Sequence, residues 1–220
     1  MGVARYPSYM DLDGFIDVAR LAALDTFITE RLEQRLAAAE DRLFYTGPFL
    51  LSAEAPDLPG SRMVNLSRSR AAENYYDLDR TDLWEPTPEA GEFAPLMDFI
   101  ATLPFAATGR MLIMYDALGR AVSAHRDHED TGLCHEFIWM RTNLSKPFYL
   151  LDPENGQREY VAGHSAWFDT VNQFHGADAT GELSFSIRVD GVFSDEFRNQ
   201  IPFSRTNRAA SPSVWACQGQ

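Results

Sequence analysis

The feature of the sequence that most constrains its fold is a series of short segments, from residue 110 to residue 189, that have the pattern of β-strands separated by turns. Residues 136–143 alternate between two sets of side chains, and Asn155 with Gly156 is the turn signal of a β-hairpin. The predicted strands cover residues 110–115, 122–125, 136–143, 148–151, 158–161, 166–170 and 183–189. Short strands at such spacing predict a mainly β protein with a double-stranded β-helix fold, the jelly-roll of cupin-like proteins.

The N-terminal half has a helical pattern instead. Apolar residues recur at helical spacing between residues 15 and 43, with charged residues between them. This amphipathic helix is expected to cover one face of the sheet. A second helix is expected over residues 93–103, where Pro104 ends it.

These patterns predict one domain over the chain of 220 residues. Residues 1–109 would form a helical and loop elaboration, residues 110–197 the β-helix core, and residues 198–220 a loose tail. Within the elaboration, residues 1–14 are expected to form an arm that ends in a turn. Residues 73–92 are polar and rich in proline and aromatic residues, so we interpret them as a mobile lid.

Composition excludes several classes of partner. The formal net charge of −13 argues against nucleic-acid binding, which needs a basic surface. It allows a cationic small-molecule substrate, although solubility alone is the preferred explanation. There is no apolar run of membrane-spanning length, so no membrane partner is expected. The two cysteines, Cys134 and Cys217, are too few for a disulfide framework and favour a reduced, cytoplasmic setting. The oligomeric state stays open.

Three candidate metal ligands lie in the predicted core. His125 and Asp127 are two residues apart, so on a strand they point to the same face. His175 follows fifty residues later, which is enough chain to cross several strands and return. Two imidazoles and one carboxylate on one side of a metal form the facial triad of non-haem Fe(II) oxygenases. Zinc also accepts such a set, so the ligand types favour iron only mildly.

A candidate cation follows the triad on an alternating strand. Ser184, Ser186 and Arg188 share one face of this strand, whereas Ile187 and its apolar neighbours are expected to point into the layer between the two sheets. A charged group that faces a barrel interior needs a partner. We identify no acid on the same face within the strand, so the expected partner of Arg188 is the carboxylate of a ligand, held by a two-pronged hydrogen bond.

Taken together, these motifs resemble the Fe(II)/2-oxoglutarate-dependent oxygenases, and within them the aspartyl/asparaginyl β-hydroxylase-like and proline-hydroxylase-like group. The resemblance covers about residues 110–197 and is carried by His125-Arg126-Asp127, Arg141-Thr142-Asn143, Trp167-Phe168-Asp169, His175 and Arg188-Val189-Asp190-Gly191. The N-terminal half matches no motif.

The resemblance implies that His125, Asp127 and His175 hold ferrous iron and that molecular oxygen and 2-oxoglutarate are co-substrates. It implies that Arg188, helped by Ser186, binds the far carboxylate of 2-oxoglutarate. In this group an Arg-x-His often helps to hold the co-substrate or the substrate. Here the motif contains Arg141 and Asn143, so Asn143 replaces the common histidine and its role is open.

Two hypotheses follow for the function. The first is an oxygenase that hydroxylates, cyclises or desaturates a small polar metabolite, such as an amino acid or an amino-bearing intermediate of natural-product biosynthesis. The second is a non-oxidative β-barrel, either a zinc-binding cupin-like hydrolase or isomerase, or a binding module without turnover. Arg188 discriminates between them, because a zinc hydrolase has no need for a buried cation beside its metal.

Overall fold

The computed structural model describes residues 9–38, 61–70, 80–127, 136–152, 154–170 and 173–201. The helices are α1 (Val18–Ala23), α2 (Asp25–Ala38), α3 (Pro88–Glu92), α4 (Ala94–Ile100) and α5 (Asp195–Gln200). The strands are β1 (Tyr9–Asp11), β2 (Ser61–Asn65), β3 (Ser67–Ser69), β4 (Trp84–Pro86), β5 (Phe105–Asp116), β6 (Val122–His125), β7 (Glu136–Met140), β8 (Phe148–Leu151), β9 (Arg158–Tyr160), β10 (Ser165–Phe168), β11 (Phe174–Ala177) and β12 (Ser184–Phe193).

Two antiparallel sheets form the core. The larger has the strand order β1-β10-β7-β12-β5-β2, and the smaller has the order β6-β11-β8-β9. From β5 to β12 the chain passes repeatedly from one sheet to the other, and only the β8–β9 hairpin stays within one sheet. This winding is the double-stranded β-helix, so the predicted mainly β jelly-roll fold is confirmed.

The two faces of the larger sheet have different chemistry. Arg188 on β12 contacts Asp127, which follows β6 of the smaller sheet, so its face lies between the two sheets. Alternation then directs Ile187 and Val189, both fully buried, to the opposite face. Buried residues of α2 and α4 belong to the same apolar cluster. The prediction that Ile187 points into the layer between the sheets is therefore wrong.

The helical prediction is right in type and wrong in extent. Within residues 15–38 the chain forms α1 and α2, which meet at Leu24. The Asp17 carboxylate accepts a hydrogen bond from the Arg20 backbone N–H and so begins α1 at residue 18. The second predicted helix is shorter than expected, because α4 ends at Ile100. Helix α5 covers residues 198–200, which were assigned to the loose tail.

The structure adds strands that the sequence pattern did not predict. Within the predicted arm, β1 pairs with β10, and the Asp13 carboxylate accepts hydrogen bonds from the backbone N–H groups of His164 and Ser165. Strands β2 and β11 were also missed, and β4 and α3 lie within the predicted lid. Residues 73–79 of that lid lie outside the described residues, as do Cys134 and Cys217. None of the helices that the structure describes is long and apolar enough to cross a membrane.

Candidate metal centre

The two candidate histidines meet because β6 and β11 are neighbours in the smaller sheet. His175 is directly opposite His125 in the antiparallel register, and their ring centroids are 4.4 Å apart. Asp127 follows the end of β6, and its backbone N–H donates to the carbonyl of Thr170 over 2.8 Å. This hydrogen bond ties the end of the His-x-Asp motif to the connection that leads into β11.

The geometry brings three ligand atoms, one from each residue, within 4.8 Å of one another. His175 Nε2 lies 3.5 Å from Asp127 Oδ1, and His125 Nε2 lies 3.9 Å from the same oxygen. The other ring nitrogens face backbone carbonyls, with Nδ1 of His125 2.8 Å from Ser123 O and Nδ1 of His175 3.1 Å from Gln173 O. A carbonyl oxygen only accepts, so each Nδ1 donates and each Nε2 is the nitrogen available to a metal.

The electrostatics of the cluster suit a cation. Burial lowers the pKa of the His125 imidazole, and the neighbouring His175 lowers it further. Burial alone would raise the pKa of the Asp127 carboxyl, but the adjacent His175 and the charge of Arg188 outweigh it, so this pKa lies well below its ordinary value. Neutral imidazole and ionised carboxylate are the forms that bind metal ions, so the donor set fits a divalent metal.

Arg188 lies next to the cluster and contacts two carboxylates. Its Nη1 donates to Asp127 Oδ2 over 3.0 Å, while its Nε and Nη2 donate to Asp190 Oδ1 over 3.0 and 2.9 Å. The guanidinium carbon is 4.1 Å from the centroid of the Phe137 ring. Asp190 shares the face of Arg188, so the prediction that no acid lies on this face of the strand is wrong.

Asp190 is the buried carboxylate that the sequence reasoning missed. Its side chain is 0 % exposed, and it also accepts a hydrogen bond from Arg110 Nε on β5 over 3.0 Å. The signal was present in the sequence, because Asp190 is two residues after Arg188 and the strand continues to Phe193. The prediction stopped the strand at residue 189.

The other predicted co-substrate residues have partners elsewhere. β7 ends at Met140, so Arg141 and Asn143 do not share a strand face as predicted. Arg141 donates from all three guanidinium nitrogens to the backbone carbonyls of residues 146, 161 and 163. The Asn143 amide donates to the carboxylate of Asp25. These contacts join loops and a helix end, and the predicted role of both residues in co-substrate binding stays a prediction. Ser186 lies half-buried on the face of Arg188.

An aromatic wall surrounds the buried side of the cluster. The rings of Phe168 and Phe148 lie 5.0 and 6.0 Å from the His175 ring, and Trp139 packs against Phe148 at 4.5 Å. An apolar wall limits the access of water and strengthens electrostatic interactions inside the site. His128, which follows the His-x-Asp motif in the sequence, lies outside the described residues.

Comparison with known proteins finds similar solved structures. No protein-family model matches the sequence, and no curated protein matches it. Among solved structures, a prolyl-4-hydroxylase from Pseudomonas putida is 12 % identical with a TM-score of 0.45, and the similarity covers 83 % of this chain and 91 % of that one. A Trichoplax adhaerens prolyl hydroxylase, in complex with a hypoxia inducible factor peptide fragment, is 10 % identical with a TM-score of 0.44, covering 87 % and 86 %.

A third similar structure, from Burkholderia pseudomallei, is described as an oxidoreductase of the 2OG-Fe(II) oxygenase family. It is 12 % identical with a TM-score of 0.43, and the similarity covers 79 % of this chain and 90 % of that one. Two of these three proteins are described as prolyl hydroxylases and the third as a member of the 2OG-Fe(II) oxygenase family. The narrower aspartyl/asparaginyl β-hydroxylase-like assignment stays a prediction.

Proposed function

We propose that this protein is an Fe(II)/2-oxoglutarate-dependent oxygenase. The observation that carries the proposal is the convergence of two imidazole nitrogens and one carboxylate oxygen beside a buried arginine. A set of three ligands on one side of a metal leaves positions open for a co-substrate and oxygen. A zinc hydrolase would need the three ligands but has no use for the arginine.

In this proposal His125, Asp127 and His175 hold the ferrous ion through two nitrogens and one oxygen. When bound, iron, 2-oxoglutarate and molecular oxygen supply the oxidising chemistry, with succinate and carbon dioxide as the products from the co-substrate. Arg188 is proposed to bind the far carboxylate of 2-oxoglutarate. A guanidinium has five N–H donors, so each terminal nitrogen of Arg188 keeps an N–H beyond those given to Asp127 and Asp190. Ser186, on the same strand face, is proposed to assist.

The proposed substrate is a small polar metabolite, such as an amino acid or an amino-bearing natural-product intermediate. The acidic character of the chain supports a cationic substrate, because long-range attraction concentrates cations near an acidic surface. Hydroxylation and oxidative cyclisation or desaturation are the outcomes proposed for it. A thermal-shift screen of the protein loaded with Mn(II) and 2-oxoglutarate, using amino acids, their amides and short peptides, tests this substrate class.

The reaction type has a direct test. Purified protein mixed without air with Fe(II) and 2-oxoglutarate should develop a weak visible charge-transfer band, and admission of air should convert 2-oxoglutarate to succinate. Protein loaded with Zn(II) is the control and should do neither. Absence of the band together with absence of succinate, from protein that binds Fe(II), would rule out the oxygenase.

A further inference from the structure

We propose that Asp190 is a positioning residue of the metal centre. It fixes the guanidinium of Arg188, and through it fixes Asp127 as a ligand that offers one oxygen to the metal. This inference rests on the proposed function, because it assumes that the triad holds a metal. It assigns a purpose to a buried carboxylate that the proposed chemistry does not otherwise use.

The contacts of Asp190 hold Arg188 from one side. Nε and Nη2 form one edge of the guanidinium, and both donate to Asp190 Oδ1, over 3.0 and 2.9 Å. Both bonds leave the same edge, and Nε also donates to Asp190 Oδ2 over 3.2 Å, so Asp190 fixes the position of the fork. Asp190 is itself fixed, because its other oxygen accepts from Arg110 on the neighbouring strand over 3.0 Å and its side chain is fully buried.

The fixed position of Arg188 determines which oxygen of Asp127 is directed at the metal position. With one edge held by Asp190, the Nη1 atom of Arg188 points at Asp127 Oδ2 and donates to it over 3.0 Å. The remaining oxygen, Oδ1, is the one that faces the Nε2 atoms of His125 and His175. Arg188 therefore separates the two oxygens of Asp127 into one that is hydrogen-bonded to protein and one that is directed at the metal position.

Four side chains form a row in which positive and negative charges alternate and each side chain contacts the next. In order, they are Arg110, Asp190, Arg188 and Asp127. Loss of the Asp190 charge leaves two guanidinium groups beside each other with one anion, in a buried place where unpaired charge is costly. Arg188 is then free to turn both of its terminal nitrogens onto Asp127 and compete with a metal for the oxygen that the metal needs.

The test is the affinity for Mn(II), measured by electron paramagnetic resonance or calorimetry without 2-oxoglutarate. Asp190→Asn keeps the shape of the side chain and should weaken Mn(II) binding about ten-fold or more, as loss of a partner that orients a ligand does. The matched control is Glu136→Gln. Glu136 is also a buried carboxylate that binds an arginine, Arg198, but it lies on the opposite face of the larger sheet. Its Mn(II) affinity should stay within about two-fold of wild type.

A double-mutant cycle separates positioning from the general effect of one charge. If Asp190 acts through Arg188, Asp190→Asn should change the Mn(II) affinity of an Arg188→Met background by less than about three-fold. An equal loss in both backgrounds would show that only the field of Asp190 matters and would overturn the inference. If Asp190→Asn gives no folded protein, Asp190→Asn with Arg110→Gln restores the charge balance of the row, and the same two backgrounds are compared.

The inference and the proposed function fail in different ways. Wild-type protein that binds no Mn(II) or Fe(II) overturns the proposed function and the inference with it. Wild-type protein that binds metal and forms succinate, while Asp190→Asn binds Mn(II) equally well, overturns the inference alone.

Discussion

The two faces of the larger sheet belong to the same strands but differ in almost every other respect. On β12, Ile187 and Val189 face the helix-covered side and are fully buried among apolar residues, while Arg188 and Asp190 face the smaller sheet and are buried as ions. Burial of apolar groups stabilises a fold, whereas burial of ions costs desolvation that their pairing only partly offsets. On β12, one face therefore belongs to the apolar cluster, and the other, here called the binding face, carries the ion pairs beside the candidate metal centre. Four predictions test this division, from the largest expected effect to the smallest.

The largest effect is expected from loss of a candidate metal ligand on the smaller sheet, opposite the binding face. His175→Ala or His125→Ala should abolish metal binding and turnover, because two ligands cannot hold the ion. The thermal unfolding transition should persist, since the apolar face is untouched. Metal binding is measured by calorimetry and the fold by circular dichroism. His164→Ala is the control, because the His164 ring faces the carbonyl of Arg141. Near-normal succinate formation in either ligand variant would contradict the triad.

On the apolar face we expect the reverse: the fold loses stability and metal binding is retained. Ile187→Ala leaves a cavity in the fully buried cluster and should lower the free energy of unfolding by about 2–5 kcal/mol. The variant that remains folded should bind Mn(II) as wild type does, because the side chain points away from the metal centre. Urea unfolding measures the first quantity and calorimetry the second. A folded Ile187→Ala protein with weakened metal binding would mean that the two faces are not independent.

A smaller effect on the binding face is expected from Arg188→Lys, which keeps the charge but loses the planar fork. The affinity for 2-oxoglutarate should fall about ten-fold or more, equivalent to about 1.4 kcal/mol or more. Arg188→Met should reduce it further, because the charge is also lost. Titration of 2-oxoglutarate into the Mn(II)-loaded proteins measures both. Equal affinity in all three proteins would show that Arg188 only balances the acids beside it.

The smallest effect concerns pH. Metal binding needs neutral imidazole, and the pKa of His125 is lowered, so the neutral form of this ligand persists below the ordinary histidine range near about 6.5. His125 should therefore cause no loss of Mn(II) affinity between about pH 8 and about pH 6.5, and a loss only as the solution becomes more acidic. Calorimetric titrations at a series of pH values measure this. An NMR titration in which the His125 imidazole becomes protonated above about pH 7 would contradict it.

Much of the fold and the meeting of the three candidate ligands could be predicted from the sequence. Predicted strands such as β6 and β8 agree with the structure, because short segments of strand-forming residues between turn signals mark strands. The spacing of His125, Asp127 and His175 indicated a common site, and the structure brings their ligand atoms together. The missed elements are those whose conformation depends on their neighbours.

Two missed strands show why. β2 is largely polar, with Ser61, Arg62 and Asn65 among its five residues, and its extended form comes from pairing with β5. β11 is short and contains Gly176, and it is held by β6 on one side and β8 on the other. Such pairing is set by distant parts of the chain, which local propensity does not record. The partner of Arg188 was missed for a simpler reason, because the end of β12 was placed too early.

The first described strand, β1, has a consequence for how the protein reaches its native state. β1 pairs with β10, and the Asp13 carboxylate accepts hydrogen bonds from the backbone N–H groups of His164 and Ser165. These two partners follow Asp13 in the sequence by 151 and 152 residues. Contacts between such distant residues form slowly, because the chain must lose the entropy of closing a long loop before the contacts can stabilise it. During synthesis, residues 9–13 leave the ribosome long before β10 has been made. Residues 9–13 therefore cannot dock until β10 has been made, and their docking covers the edge of β10 in the larger sheet.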